Sequence, residues 1–159
     1  MEGVIDIETA IASRNYDALS FMVSEGAKIS GEHLATAINE GDLELVHFLI
    51  VNDIFCDNAI ELALALKNPA ILRNVLASQQ ADVNQRIGKS DRTALQIAAG
   101  SGDEKLVTVI LNARDVDINA EDNEGKTAKS LATENGHNHI ASVIEKLEKK
   151  PEDEYDMIS

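Results

Sequence analysis

The sequence has few of the residues that cross-link, stiffen or interrupt a chain. Among 159 residues there is one cysteine, Cys56, which excludes an intramolecular disulfide. Two prolines leave little to break a helix. Aromatic residues make up 3% of the chain, and tryptophan is absent. A core of Ala, Leu, Ile and Val is therefore expected, and such a core suits short, closely packed helices better than a β-sandwich.

Positive charge is also scarce. The chain has 14 Lys and Arg residues against 28 Asp and Glu residues, for a formal net charge of −14. The acidic residues are spread along the whole length. Such a field repels phosphate backbones and attracts basic proteins. We therefore expect no nucleic-acid binding, and a protein partner with a basic surface.

Long apolar runs are missing as well. No run approaches the roughly 20 residues that a membrane-spanning helix needs. The first ten residues, "MEGVIDIETA", lack the basic and apolar parts of a signal peptide. We expect an intracellular monomer without membrane association, in the cytoplasm, with the nucleus as the alternative.

What the chain does contain is internal similarity. The segments "AINEGDLELVHFLI" (37–50), "AAGSGDEKLVTVIL" (98–111) and "ATENGHNHIASVIE" (132–145) share a small residue, a glycine, polar residues and then apolar residues at helical spacing. Weaker copies lie at 10–23 and 64–76. The equivalent turn positions are 27, 26, 35 and 34 residues apart and are occupied by Arg14, Gly41, Lys67, Gly102 and Gly136. The pattern predicts five pairs of short helices, with eight or nine extra residues before each of the last two.

The stretch Gly100-Ser101-Gly102 has two interpretations. A Gly-x-Gly before a helix is one part of a phosphate-binding loop, but that loop needs a preceding strand. Here "TALQIAA" precedes it and favours a helix, whereas Asp103 and Glu104 follow and would repel phosphate. A turn with positive φ at Gly102 is therefore predicted. Asn15 and Asn68, beside the non-glycine turn positions, are interpreted as residues that tolerate the same backbone region.

Residues 90–144 resemble ankyrin repeats. The resemblance rests on "TALQIAAGSGD", "KLVTVIL" and "VDINAEDNEGKTAKSLATENGH", with "QADVN" one unit earlier, and it is strong over 81–144 and degenerate over 1–80. It implies an all-α solenoid of about five stacked helix-turn-helix repeats, with short β-hairpin fingers in the C-terminal half. The implied domain covers 1–147, with approximate repeats at 1–30, 31–56, 57–86, 87–120 and 121–147. The composition of residues 148–159 predicts an acidic mobile tail.

The sequence departs from the family pattern at two kinds of position. Ala94 and Ala128 stand where the family usually has proline, and Gln96 and Ser130 stand where it has histidine. We expect these changes to cost rigidity at the helix starts and a buried hydrogen-bond network.

The resemblance implies a non-catalytic protein that needs no cofactor and acts as an adaptor, inhibitor or effector. Its partner would bind a concave face made of finger tips and helix ends: Asn39, Glu40, Leu66, Lys89, Ser90, Arg92, Gly100, Ser101, Asn123, Glu124, Lys126, Glu134 and Asn135. Leu66 is the bulky apolar candidate for an anchor, and the alternative is that it packs inward. For Lys89 and Arg92 the alternative is that they are solvated loop charges.

Other candidate sites are weaker. His137 and His139 do not have the spacing of a metal site, and no catalytic or metal-binding residue is predicted. Asn84 and Asn119 resemble ankyrin asparagines that are hydroxylated, or they cap turns. In the tail, "EDEYDMI" resembles aromatic-x-x-aliphatic linear motifs through Tyr155 and Ile158. These are the motif for ubiquitin-like autophagy adaptors and the endocytic sorting signal; the alternative is a solvating tail. Regulation through this motif, or nucleotide binding at the Gly-Ser-Gly turn, are the alternative functions.

Overall fold

A computed structural model describes residues 5–149. Within them the chain forms ten α-helices and no β-strand. The chain divides into two compact units, Met1–Ala81 and Asp82–Ser159. None of the helices in the described part is long and apolar enough to span a bilayer.

The first unit contains three helix pairs. Within each pair the two helices pack together, and the second and third pairs also pack through their first helices and through their second helices. The helices are α1 (Ile7–Ala12), α2 (Tyr16–Ser24), α3 (Gly31–Glu40), α4 (Leu43–Val51), α5 (Ala59–Leu66) and α6 (Pro69–Ala77).

The second unit contains two helix pairs separated by longer loops. In this unit α7 packs against both α8 and α9, and α9 packs against α10. The helices are α7 (Ala94–Ser101), α8 (Glu104–Leu111), α9 (Ala128–Glu134) and α10 (Asn138–Glu148). Helix α10 ends at Glu148, one residue beyond the expected end of the repeat domain, and Tyr155 and Ile158 lie outside the described residues.

The turn inside every helix pair contains one residue with positive φ. These residues are Arg14 (53°), Gly41 (72°), Lys67 (56°), Gly102 (75°) and Gly136 (81°), which confirms the predicted turn at Gly102 and the five equivalent positions. The interpretation of Asn15 and Asn68 was wrong. Their φ values are −84° and −104°, and their side chains instead cap the next helix.

Polar caps fix where the second helix of each of the first four pairs begins. The Asp42 carboxylate accepts a hydrogen bond from the backbone N–H of Leu45 at 3.1 Å, and Asp103 does the same for Leu106 at 3.1 Å. Such caps satisfy N–H groups that have no partner inside the helix. The acidic residue after the Gly-Ser-Gly turn is therefore a helix cap.

Apolar positions of both helices in each pair form the core of each unit. In α4 the buried side chains are Leu45, Val46, Leu49 and Ile50, and in α8 they include Leu106, Val107 and Ile110. Burying one such side chain contributes about 1.5–3 kcal/mol. Because an isolated helix of this length is marginal in water, packing between helices stabilises each one.

The loops of the second unit contain little β-structure. Ile87 and Arg92 form an antiparallel bridge, which is the single bridge in the described part of the chain. No strand extends from it among the described residues. The β-hairpin fingers and the count of five repeats stay predictions.

Candidate interaction surface

In the first unit, the residues expected to bind a partner lie at the ends of two first helices. Asn39 and Glu40 are exposed at the end of α3, and Leu66 is the last residue of α5. Leu66 is 38% exposed, so it is partly packed and partly accessible to a partner. Its role as a binding anchor stays a prediction.

A pocket of about 370 Å³ lies between α1 and α3. Its wall includes the carboxylates of Glu8, Glu32 and Glu40, beside the apolar side chain of Ile11. Nδ1 of His33 accepts a hydrogen bond from the Ser30 backbone N–H at 3.1 Å, and its Nε2 lies 3.2 Å from a Glu8 oxygen. Such a pocket suits a cationic side chain. Sequence analysis missed Glu8 and Glu32; for Glu32 the signal was the presence of a second acid, Glu40, on the same helix.

In the second unit, the tips of the two loops contact one another. The turn at 88–91 is closed by backbone hydrogen bonds between Ile87 and Arg92, at 2.8 and 3.2 Å. Asn123 in the next loop donates from its side chain to the Lys89 carbonyl at 3.0 Å and from its backbone to the Ser90 carbonyl at 3.2 Å. Three of the expected binding residues thus lie together.

Arg92 links these two loops through a buried carboxylate. Its Nε donates to Asp122 Oδ2 at 2.9 Å, and the Asp122 side chain is fully buried. The other Asp122 oxygen accepts from the backbone N–H groups of Glu124 and Lys126, both at 2.9 Å. The Lys126 N–H above all, with Arg92 and Glu124, lowers the pKa of Asp122 despite burial. The solvated-charge alternative is therefore wrong for Arg92.

Asp122 itself was missed by the sequence analysis. Its signal is the local pattern "DNEG", because an aspartate often bonds to backbone N–H groups just after it when a turn follows. Its pairing with Arg92, 30 residues earlier, has no signal in one sequence.

A charged cluster joins the second loop to the end of α9. Lys126 Nζ lies 2.9 Å from a Glu134 oxygen and 3.1 Å from a Glu124 oxygen. The hydrogen bond to Glu134, followed by that to Glu124, raises the pKa of Lys126. Exposed ion pairs of this kind add little stability. Their effect is to hold three expected binding residues in one place.

The two glycines of the Gly-Ser-Gly turn have different surroundings. Asn135 donates from Nδ2 to the Gly100 carbonyl at 2.8 Å, and a Cβ on Gly100 would lie 3.6 Å from that Nδ2 atom. A Cβ on Gly102 would lie 2.6 Å from Nδ1 of His137, which is a clash. Gly102 is thus required by both its backbone and its neighbour. Gly100 is half-buried with room for ordinary contacts, and the neighbouring Ser101 is exposed.

Gln96 stands where the family pattern has histidine, and this change was expected to remove a buried hydrogen-bond network. Gln96 instead forms such a network. It is 1% exposed, and its Nε2 donates to the carbonyls of Ala120 at 2.9 Å and Lys126 at 2.7 Å. Its Oε1 accepts from the Thr93 backbone N–H at 2.7 Å. The expected loss was therefore wrong. Ser130 likewise accepts from the Thr127 backbone N–H at 2.9 Å.

Asn84 bonds to the following loop and not only to its own turn. Its Nδ2 donates to the Asp115 carbonyl at 2.7 Å, and its Oδ1 accepts from the Asp117 backbone N–H at 2.8 Å. The Asn119 backbone N–H donates to the Asp117 carboxylate at 3.0 Å. These bonds give Asn84 a structural role. Hydroxylation of Asn84 or Asn119 stays a prediction.

Within residues 5–149, no group of three His, Cys, Asp or Glu side chains has the arrangement of a metal site. The ring of His137 lies against Gly102, and the adjoining α10 carries His139 on an exposed position.

Comparisons with known proteins agree with this architecture. A family model for ankyrin repeats, in three copies, matches residues 33–153. A protein described as putative glutaminase 2 from Caenorhabditis elegans is 37% identical over 62 residues, which cover 39% of this chain and 10% of that protein. The likeness therefore extends to a tenth of that relative. This chain belongs to the ankyrin-repeat family, whose repeats are generally non-catalytic modules for protein–protein interaction.

Proposed function

We propose that this protein is a non-catalytic interaction module of about five ankyrin repeats, with the repeat bounds and hairpin fingers expected above. It binds a protein partner through its finger tips and the ends of its first helices, as an adaptor, inhibitor or effector. The observation that supports this best is the hydrogen-bonded surface of the second unit. There Asn123 contacts the Lys89 turn, and Lys126 contacts Glu134.

Charge supports a partner with a basic surface. The chain has a net charge of −14, and three glutamates line the pocket between α1 and α3. Lys or Arg side chains of a partner would find complementary carboxylates there, which favours both association rate and specificity. We propose that the protein acts as a monomer in the cytoplasm or nucleus.

The test is affinity capture with mass spectrometry, using charge-matched pairs of variants. Lys89→Glu and Ser101→Arg change the proposed surface, whereas Lys105→Glu and Asn138→Arg change exposed positions of second helices in the same way. At least one captured protein should be lost with the first two variants and kept with the controls. Retention of every captured protein by the surface variants would contradict the proposal.

The tail motif is the second candidate function. The acids before Tyr155 and its spacing from Ile158 suit a segment that adds a strand to a partner. Affinity capture with a chain that ends at Leu147, beside capture with the full chain, separates partners of the repeats from partners of the tail. Partners that depend on the tail alone would favour the motif.

Nucleotide binding at the Gly-Ser-Gly turn has little support. Asp103 occupies the cap of α8, so its carboxylate lies where a phosphate would need free N–H groups. Isothermal titration with Mg-nucleotides should give no binding heat.

A further inference from the structure

Helix α4 is apolar on nearly every side. Seven of its nine residues, LELVHFLIV, are apolar. One face packs into the unit, yet on the opposite face Leu43 is 39% exposed and Val51 is 62% exposed. A surface helix usually places polar residues there. The exposed face of α4 therefore combines two apolar side chains with the polar residues Glu44 and His47.

The repeat itself does not require these apolar side chains. Leu43 is the first residue after the N-cap of α4, and Val51 is the ninth. The other four second helices have mostly smaller or polar residues at these positions: Tyr16, Pro69, Glu104 and Asn138 at the first, and Ser24, Ala77, Asn112 and Lys146 at the ninth. The exposed pair on α4 is thus particular to this helix.

The same face contributes to a groove, here named the α4 groove, of about 600 Å³. Leu43, Phe48 and Val51 of α4 and Tyr16 of α2 supply its apolar lining. Its polar lining consists of Glu44 and His47 of α4 and Asn74 of α6, and His47 Nδ1 lies 2.8 Å from Asn74 Oδ1. The Tyr16 and Phe48 rings pack with their centroids 5.5 Å apart. Aromatic and aliphatic walls with few polar groups are typical of binding sites.

The groove also has one carboxylate in its wall, that of Glu44. The Glu44 side chain is 72% exposed, and Arg14 approaches it to 4.0 Å while lying closer, at 3.3 Å, to Asp42. Burial first, and then the carboxylates of Asp42 and Glu44, raise the pKa of Tyr16, against the effect of Arg14. Among the described residues the buried Tyr16 hydroxyl has no hydrogen-bond partner. A donor carrying positive charge would suit this wall.

We propose that the α4 groove docks an amphipathic helix of a partner protein, with aliphatic side chains against Leu43, Phe48 and Val51 and a Lys or Arg beside Glu44. Helices commonly bind grooves through apolar residues one turn apart. A second copy fits less well, because it would bring another chain of net charge −14 to a groove with a carboxylate in its wall. The segment "EDEYDMI" of this chain is acidic and meets the same repulsion.

The probe is a synthetic 14-residue peptide of Leu and Lys arranged as an amphipathic helix. The controls are a scrambled peptide of the same composition and a Leu/Glu peptide with the same arrangement. With the full chain labelled with nitrogen-15, the Leu/Lys peptide should shift the amide signals of 43–51. The scrambled peptide should bind more weakly at these residues, and the Leu/Glu peptide should not shift them.

Substitutions then assign the contacts. Leu43→Glu/Val51→Asn installs the residues that α8 has at the same positions, and should weaken binding at least about tenfold because the apolar contacts are lost. Since this variant is more acidic, binding by charge alone would become tighter. Phe21→Ser removes a side chain that is 66% exposed and lies outside the groove lining, and should leave the affinity unchanged. Glu44→Gln should weaken binding roughly threefold.

Unchanged affinity in the double variant, or equal shifts at 43–51 with the scrambled peptide, would overturn the proposal. A dimer that sedimentation equilibrium detects and that Val51→Asn dissociates would also overturn it, because a second copy would then occupy the groove. So would changes in the amide signals of 43–51 when residues 150–159 are removed, because that segment would then occupy it. If circular dichroism shows that the double variant melts at a lower temperature, the affinity of Glu44→Gln replaces it as the test. An unchanged affinity in Glu44→Gln would then overturn the proposal. These variants leave the finger and first-helix surface unchanged. A negative result with them would therefore count against the α4 groove and not against the proposed function.

Discussion

The two units build similar helix pairs but hold them in different ways. The second unit has Gly102 and Gly136 at its turns, and side chains such as Gln96 and Asn84 link its loops. The first unit has Arg14 and Lys67 at two of its turns, where φ is positive and a side chain is strained. The first unit, where the resemblance is degenerate, therefore forms its helix pairs through helix caps and apolar spacing.

The largest effect is expected from Gln96→Leu. It would leave the Thr93 N–H and the carbonyls of Ala120 and Lys126 without this partner inside the protein, at about 3 kcal/mol or more of unfolding free energy. His33→Leu changes the same position of α3, where His33 bonds at an exposed site, and should cost about 1 kcal/mol. Urea denaturation measures both. Equal losses would show that the buried network does not distinguish the units.

Gly102→Val should rank next, at about 2 kcal/mol or more, because of positive φ and the clash with His137. Gly41→Val in the first unit has the same backbone strain but open space around its Cβ, and should cost less. Thermal or urea melts compare the two. A Gly102→Val protein as stable as the wild type would disprove the turn assignment. Adding His137→Ala should remove the excess cost.

An exchange of turn residues tests the difference between the units directly. Lys67→Gly should stabilise the first unit by about 1 kcal/mol by relieving a left-handed backbone at an exposed position. Gly136→Lys, at the equivalent and sterically open turn of the second unit, should destabilise by a similar amount. The free energies of unfolding from urea titrations check both. Two changes of the same sign would contradict the equivalence of these turns.

The smallest effect is expected from Gly100→Ala. Its new Cβ would make ordinary contacts with Asn135 and Leu131, at 3.6 and 3.7 Å, and alanine favours a helix by about 0.5–1 kcal/mol over glycine. The melting temperature should stay the same or rise slightly. A clear fall would show that Gly100 is held by packing, and not open to a partner.

Helix pairs and turns were predictable because apolar spacing and the glycines at three of the five turns are local signals. Asn15 and Asn68 were misread because asparagine favours both a left-handed turn and a helix cap, and one sequence does not separate these. Gln96 and Asp122 were not predictable, since the partners of Gln96 lie 24 and 30 residues later and Arg92 lies 30 residues before Asp122. The α4 groove was not predicted, because apolar spacing does not show which apolar side chains stay exposed.

Hydrogen–deuterium exchange of the protein with a captured partner is the direct test of the proposed binding surface. We expect slower exchange on binding at 89–92, 100–101, 123–126 and 134–135, and at 39–40 in the first unit. Exposed positions of α8 and α10, such as Lys105 and Asn138, should exchange as in the free protein. Protection confined to the second helices or to residues 150–159, with the loops unchanged, would contradict it.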